Sequence, residues 1–247
     1  MHLGVDFDNT LVSYDDLFHR CALERGLIPA ELPRTKAAVR GYLWTLPDGN
    51  TPWTELQGMV YGTRMAESVL FPGACEALVF CREHGVRLSI ISHKIEFPAL
   101  GPRVNLRQAA LAWMETQGFF DGGGLGLPRE AVFFESSREE KLERIAREGC
   151  THFLDDLPEV LEAPGFPAGV EKWLFDPNTQ WRTDVGPPLA ARRNKGPAHP
   201  PSPGFGEARA QALQSVLMPG AELLNTPTFR RFASWAEIRD HLEAMFR

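Results

Sequence analysis

The chain has no long apolar run: nothing in its 247 residues approaches the roughly 20 apolar residues of a membrane-spanning helix. It has no C-x-x-C pair, and its four cysteines, Cys21, Cys75, Cys81 and Cys150, are scattered. That spacing argues against a zinc site or a disulfide frame and suits neutral thiols in a reducing compartment. Basic residues are not in excess either. Lys and Arg number 26 against 32 Asp and Glu, the net charge is -6 and the pI is near 5.7, which disfavours a nucleic-acid partner. There is no internal repeat. Charged residues arrive by Asp6, so no signal peptide is expected ahead of the first strand, and a cytoplasmic protein without a membrane partner is expected.

What is present reads as mixed α/β. Short apolar runs of strand length occur at His2–Phe7, Arg87–Ile91, Ala131–Phe134, His152–Leu154, Val170–Phe175 and Phe229–Ala233. Helical patterns separate most of them. One opens at Phe71-Pro72-Gly73 and stops at Gly85; Ser137 with Glu140 and Ser234 with Glu237 form capping-box patterns for two more. This alternation predicts a parallel sheet covered by helices on both faces. Residues 14–70 break the alternation with helical signals only, at Asp15–Gly26, at Thr35–Leu46 and from Thr51-Pro52 onward. They read as a helical cap inserted into a core formed by 1–13 and 71–247. Residues 182–228 are dense in Pro and Gly; a long surface loop is expected there, followed by a helix from about Gly206 to Leu217.

In a parallel sheet, ligands bind beside the carboxyl ends of the strands. The first strand exits into Asp6-Phe7-Asp8-Asn9-Thr10 and the second into Ser92-His93-Lys94. The third leads through Glu135-Ser136 to a helix carrying Lys141, and the fourth ends in Asp155-Asp156. Four successive exits thus bring carboxylates, a hydroxyl and an amine to one edge. Strand alternation puts Asp6 and Asp8 on the same side, close enough to share a site. These groups suit phosphoryl transfer. A carboxylate can attack phosphorus, a second can move the proton, and a Mg2+ ion on the acids can offset the repulsion between two anions. Lys141 would neutralise further charge, and Ser92 with neighbouring amides would hold phosphate oxygens.

Those residues resemble the motifs of the haloacid dehalogenase (HAD) superfamily, in particular its aspartate-nucleophile phosphatases. D-F-D-N-T is similar to the first motif, I-I-S-H to the second, the placement of Lys141 to the third and L-D-D to the fourth. F-P-G-A-C-E-A-L and S-W-A-E-I also resemble the family pattern, which accounts for most of residues 1–176 and 229–247 but not for 182–228. The resemblance implies a three-layer Rossmann-like core with a small C1-type helical cap. It implies Asp6 as nucleophile and Asp8 as general acid and base, with Thr10, Ser92 and Lys141 around the phosphate. Asp6, Asp8, Asp155 and Asp156 would position Mg2+. Dehalogenases share this pattern but lack the second acid, so Asp8 argues for a phosphate substrate. The expected function is hydrolysis of a small phosphorylated metabolite, such as a sugar phosphate or nucleotide. A phosphomutase, or a non-catalytic phosphate- or nucleic-acid-end-binding protein, are the alternatives.

Several residues have plainer readings. Lys94 rivals Lys141, but a lysine in the turn after Ser92 is expected to be a solvated charge. His93 reads as a loop residue rather than a base. Asp155 and Asp156 also precede Leu157-Pro158, where Asp156 can serve as a helix cap. Within 14–70, Tyr42, Trp44, Trp53 and Tyr61 are expected to pack helices together and Arg34 and Lys36 to be solvated, leaving Arg40 and Arg64 as candidate substrate contacts. The basic cluster Arg192-Arg193-x-Lys195 is expected to be a solvated patch.

Overall fold

The computed structural model describes residues 1–181 and 229–247; the expected loop and helix within 182–228, with its basic cluster, lie outside the described residues. The first strand, β1 (His2–Val5), is buried along its length. Gly4 is required there, because a Cβ would sit 2.6 Å from the Phe153 ring and 2.9 Å from Cys150 Sγ. After β1 the chain turns sharply through Asn9, whose φ of 60° is a left-handed conformation that Asn tolerates better than most residues. It then forms a short antiparallel ribbon of β2 (Val12–Ser13) with β3 (Val69–Leu70).

Between the two ribbon strands lie α1 (Asp15–Glu24), α2 (Lys36–Leu43) and α3 (Asn50–Gly58). The helix α2 is capped by Thr35, whose side chain accepts the Ala38 amide at 3.1 Å. The helix α3 starts two residues before Pro52, so Pro52 takes the third helical position. That is tolerated because the first turn's amides have no intrahelical partner. Beyond β3 come α4 (Ala74–Glu83), β4 (Arg87–His93), α5 (Leu106–Thr116), β5 (Val132–Glu135) and α6 (Arg138–Arg147). The chain continues with β6 (His152–Asp155), α7 (Pro158–Leu161), β7 (Glu171–Phe175), β8 (Arg230–Phe232) and α8 (Trp235–Met245). Among the described helices α5 has no counterpart in the expected set; Asn105 caps it, and Leu106, Ala110, Trp113 and Met114 bury one face.

The six-stranded sheet runs β5-β4-β1-β6-β7-β8, with every pairing parallel. The chain moves outward from β1 through β4 and β5, then returns to the other side of β1 with β6. That reversal opens a crevice at the carboxyl ends of β1, β4 and β6. Alternation along the strands divides the core in two. Ile90, Leu154 and Trp173 pack with residues of α4, α5 and α8, whereas Ile91, Phe153 and Leu174 pack with α6 and α7. The fold is therefore a three-layer, Rossmann-like α/β sandwich.

The predicted caps form: Ser137 accepts the Glu140 amide at 3.1 Å and Ser234 the Glu237 amide at 3.2 Å. All four cysteines are free, and burial pushes the Cys81 and Cys150 thiols up to about 12, so both are neutral. Among the described residues no helix is long and apolar enough to cross a membrane.

Candidate active site

Asp6 lies one residue past β1, buried, with its amide tied to the Leu154 carbonyl of β6 at 2.9 Å. One oxygen accepts from Lys141 Nζ at 2.6 Å, and the Thr10 hydroxyl lies 3.4 Å from the other. Lys141 comes from the start of α6, buried, and reaches across to Asp155 at 2.6 Å as well. Burial alone would lower the Lys141 pKa, but Asp155 and Asp6 more than reverse it, so the ammonium stays charged. Asp155 spends its second oxygen on the Leu157 amide at 3.0 Å. Of the two acids expected to serve as a cap before Leu157-Pro158, Asp155 makes the local bond.

Asp156 is also buried, yet no described side chain donates to its carboxylate; ligand oxygens of Asp6, Asp155 and Asp156 all lie within 4.8 Å of one another. Burial raises the Asp155 pKa to about 7, with Asp6 adding and Lys141 opposing. Burial followed by repulsion from Asp155 and Asp6 pushes Asp156 well above the ordinary carboxylate range. Three acids thus share one ammonium in direct contact, with the Lys36 charge acting on Asp156 from farther off. The cluster has room for more positive charge, supplied by protons or by a cation.

Asp8 is held differently. Lys94 Nζ contacts both its oxygens, at 2.8 and 2.9 Å, and the Tyr14 hydroxyl donates to one of them. Burial would raise the Asp8 pKa, but the Lys94 charge and these hydrogen bonds hold it below the usual range. Lys94 is 3 % exposed, so it is a buried partner of Asp8 rather than a solvated loop charge. The reason is strand length: β4 runs on to His93 instead of stopping at Ile91, and alternation then sets Lys94 on the same side as Ser92. Ser92 is buried at that strand end, while His93 points out and bonds the Ser136 carbonyl at 3.1 Å.

The helical segment between β2 and β3 contributes a third lysine. Lys36, at the start of α2, is only partly solvated: its ammonium sits 5.7 Å from the Phe18 ring and 5.5 Å from the Tyr61 ring. Burial would lower its pKa, but Tyr61, Asp156 and Asp8 raise it. Tyr61 packs edge-on against Tyr14, and Trp53 stacks on Phe18, as packing residues should. Trp44 does not pack; it is 51 % exposed beneath the Arg40 guanidinium. The two candidate arginines separate. Arg40 lines a cleft of about 270 Å³ with Asn9, Lys36, Asp156 and Trp181, whereas Arg64 lies outside its lining and is engaged by Glu24 and Glu67.

Fold and geometry together define a parallel α/β protein with a buried acid-lysine cluster at the carboxyl edge of its sheet. No family model and no curated protein matches the chain. Among solved structures it is similar to a HAD family hydrolase from Deinococcus radiodurans R1 with bound phosphate and sodium, at 19 % identity and a TM-score of 0.48, covering 98 % of this chain and 95 % of that one. A HAD-superfamily hydrolase from Ehrlichia chaffeensis is similar at 13 % identity and TM-score 0.46, covering 100 % and 97 %. A subfamily IA hydrolase from Geobacter sulfurreducens PCA gives 14 % and 0.43, covering 71 % and 86 %. At identities this low, what the chain does has to be argued from its own residues.

Proposed function

We propose that the chain is a Mg2+-dependent phosphomonoester hydrolase that works through an aspartyl-phosphate on Asp6. The observation that carries this reading is the cluster itself. A carboxylate that can act as nucleophile is gripped at 2.6 Å by a buried lysine, beside two further buried acids and two residues from a third. The donor set fits a hard divalent ion, because its ligands are carboxylate oxygens and Asp156 lacks a donor among the described residues. Asp6, Asp155 and Asp156, with the Asp8 carbonyl, would hold Mg2+. When bound, the ion would offset the repulsion between nucleophile and phosphate.

The rest is done by the chain's own groups. An Asp6 oxygen bonds to phosphorus as the bond to the leaving oxygen breaks, and that oxygen takes a proton from Asp8. Water then attacks the aspartyl-phosphate, Asp8 takes its proton, and the bond between phosphorus and Asp6 breaks to release inorganic phosphate. At rest Asp8 is ionised by Lys94 and Tyr14, the form suited to the second step. For the first step it must take up a proton, which an arriving phosphate dianion favours by adding negative charge nearby. Lys141, Ser92 and Thr10 would hold phosphoryl oxygens. Residues 14–70 would act as a cap that excludes water and contacts the substrate beyond the phosphate. The substrate would be a small phosphorylated metabolite.

Purified protein with Mg2+ is expected to release phosphate from an aryl phosphate and to stop when a chelator removes the ion. Interconversion of sugar phosphates with little free phosphate would point instead to a mutase, and binding without turnover would sink the enzymatic reading. Lys94→Met is expected to lower kcat by about 10- to 100-fold and to move the acid limb of the pH–rate profile upward. The half-buried Asp8 loses its ion pair there, so its pKa rises. An unshifted limb would separate Lys94 from the proton transfer.

A further inference from the structure

We infer that the cleft beside the acid cluster accepts a second anionic group on the substrate, held by Lys36 and Arg40 of α2. The inference rests on reading the cluster as a phosphohydrolase site, and it adds a substrate class. Lys36 and Arg40 are one helical turn apart, so their side chains share a face about 5–6 Å apart at Cβ. Both line the same cleft, which also takes in Asn9 and Asp156 and therefore starts at the cluster and runs along α2.

The other cations near the acids have partners. Lys141 answers Asp6 and Asp155, and Lys94 answers Asp8. Elsewhere on the helical segment, Arg34 pairs with Asp16, and Arg64 with Glu24 and Glu67. Lys36 and Arg40 form no ion pair with a described residue: Arg40 lies over the Trp44 ring, and Lys36 sits between the Phe18 and Tyr61 rings, with Asp156 and Asp8 acting on its charge from beyond ion-pair distance. Three acids also line the cleft: Asp156 of the cluster, whose carboxyl is pushed well above the ordinary range, Asp15 and Glu159. Asp15 is occupied by the Lys36 amide at 2.8 Å and the Asn178 side chain at 3.0 Å, and Glu159 stands exposed on α7. Two cations in a row without an ion pair among the described residues, in a cleft that borders the cluster at Asp156, match a leaving group that carries its own carboxylate or second phosphate. A cleft of about 270 Å³ is below the roughly 300–1,000 Å³ typical of drug-sized ligands, which favours a small phosphorylated acid or bisphosphate over a nucleotide.

The test compares matched probes on the Asp6→Asn protein with Mg2+, by calorimetry. One pair is 3-phosphoglycerate and glycerol 3-phosphate; the other is fructose 1,6-bisphosphate and fructose 6-phosphate. In one pair the doubly anionic member should bind at least about tenfold tighter, the worth of one charge-assisted contact, and which pair shows it tells carboxylate from phosphate. Adding Arg40→Gln should cut that preference to about twofold or less, and because Arg40 is exposed this variant should fold. Lys36→Met should do the same, while Arg34→Gln, at a residue paired on the surface, should keep the preference. Equal affinities within both pairs, a preference that survives Arg40→Gln, or AMP binding tighter than all four probes would overturn the inference. Aryl phosphate turnover by the unaltered protein tests the parent reading separately. Turnover without a preference removes only the second-anion site; a preference without turnover removes only the hydrolase.

Discussion

Asp6→Asn is expected to lower phosphate release by roughly 10⁴-fold or more while leaving the protein folded. An amide has nearly the shape of a carboxylate but no anionic oxygen to attack phosphorus, and its nitrogen cannot form the intermediate. Folding should survive because the change relieves the cluster rather than exposing it. Lys141 keeps its 2.6 Å partner Asp155, and one of three mutually repelling acids loses its charge. The melting temperature without metal should therefore hold or rise. The pairing of that result with lost turnover is informative, since an unfolded variant would also be inactive. Turnover that persisted in a folded Asp6→Asn protein would remove Asp6 as nucleophile, and Asp8, ionised and two residues away, would become the next candidate.

The acids of the site could be read in advance because each sits at the end of a short apolar run, and the exits of parallel strands share one edge whatever the rest of the fold does. Asp6, Asp8, Ser92, Lys141, Asp155 and Asp156 all follow from that local rule together with topology. Lys94 fails the rule only if β4 ends at Ile91. Hydrogen bonding to β5 carries the strand to His93, and the alternation that pairs Asp6 with Asp8 then pairs Ser92 with Lys94. Tyr14 and Lys36 are different cases. Tyr14 reaches Asp8 because it follows directly on the β2–β3 ribbon, and Lys36 is half-buried between the Phe18 and Tyr61 rings because α2 docks beside the cluster. Neither docking is written in a local pattern, since a lysine at the first turn of an amphipathic helix is ordinarily solvated. The helix α5 could have been read from its Asn105 cap and apolar spacing.

Lys141→Met is expected to disable the site and to change how stability responds to pH. Methionine fills much of the same space but takes away the ammonium that bridges Asp6 and Asp155, so kcat should fall by roughly 10²–10³-fold or more through lost charge stabilisation. At neutral pH without metal, breaking this buried pair should cost roughly 3–5 kcal/mol, because three acids are left facing one another. The sign of the pH effect follows from the raised pKa values. Asp155 titrates at about 7 in the fold against 3.8 for the ordinary group, and Asp156 is raised as well. Between those values the folded chain holds protons that the unfolded chain has released. That contribution is complete below 3.8 and drains away as pH rises through about 7. Asp8 is shifted the other way, and its contribution changes only at or below its ordinary value of 3.8, outside this window. Lys141 opposes the rise at Asp155, so removing it lifts that pKa further and extends the loss to higher pH. Thermal melts without metal should therefore fall more steeply for Lys141→Met than for the unaltered protein between about pH 5 and pH 8. Added Mg2+ should recover part of the loss at the alkaline end, because a divalent ion replaces the missing charge. Parallel melting profiles for the two proteins, with no response to Mg2+, would mean that the three acids do not act as one charged cluster, and the proposed metal site would go with them.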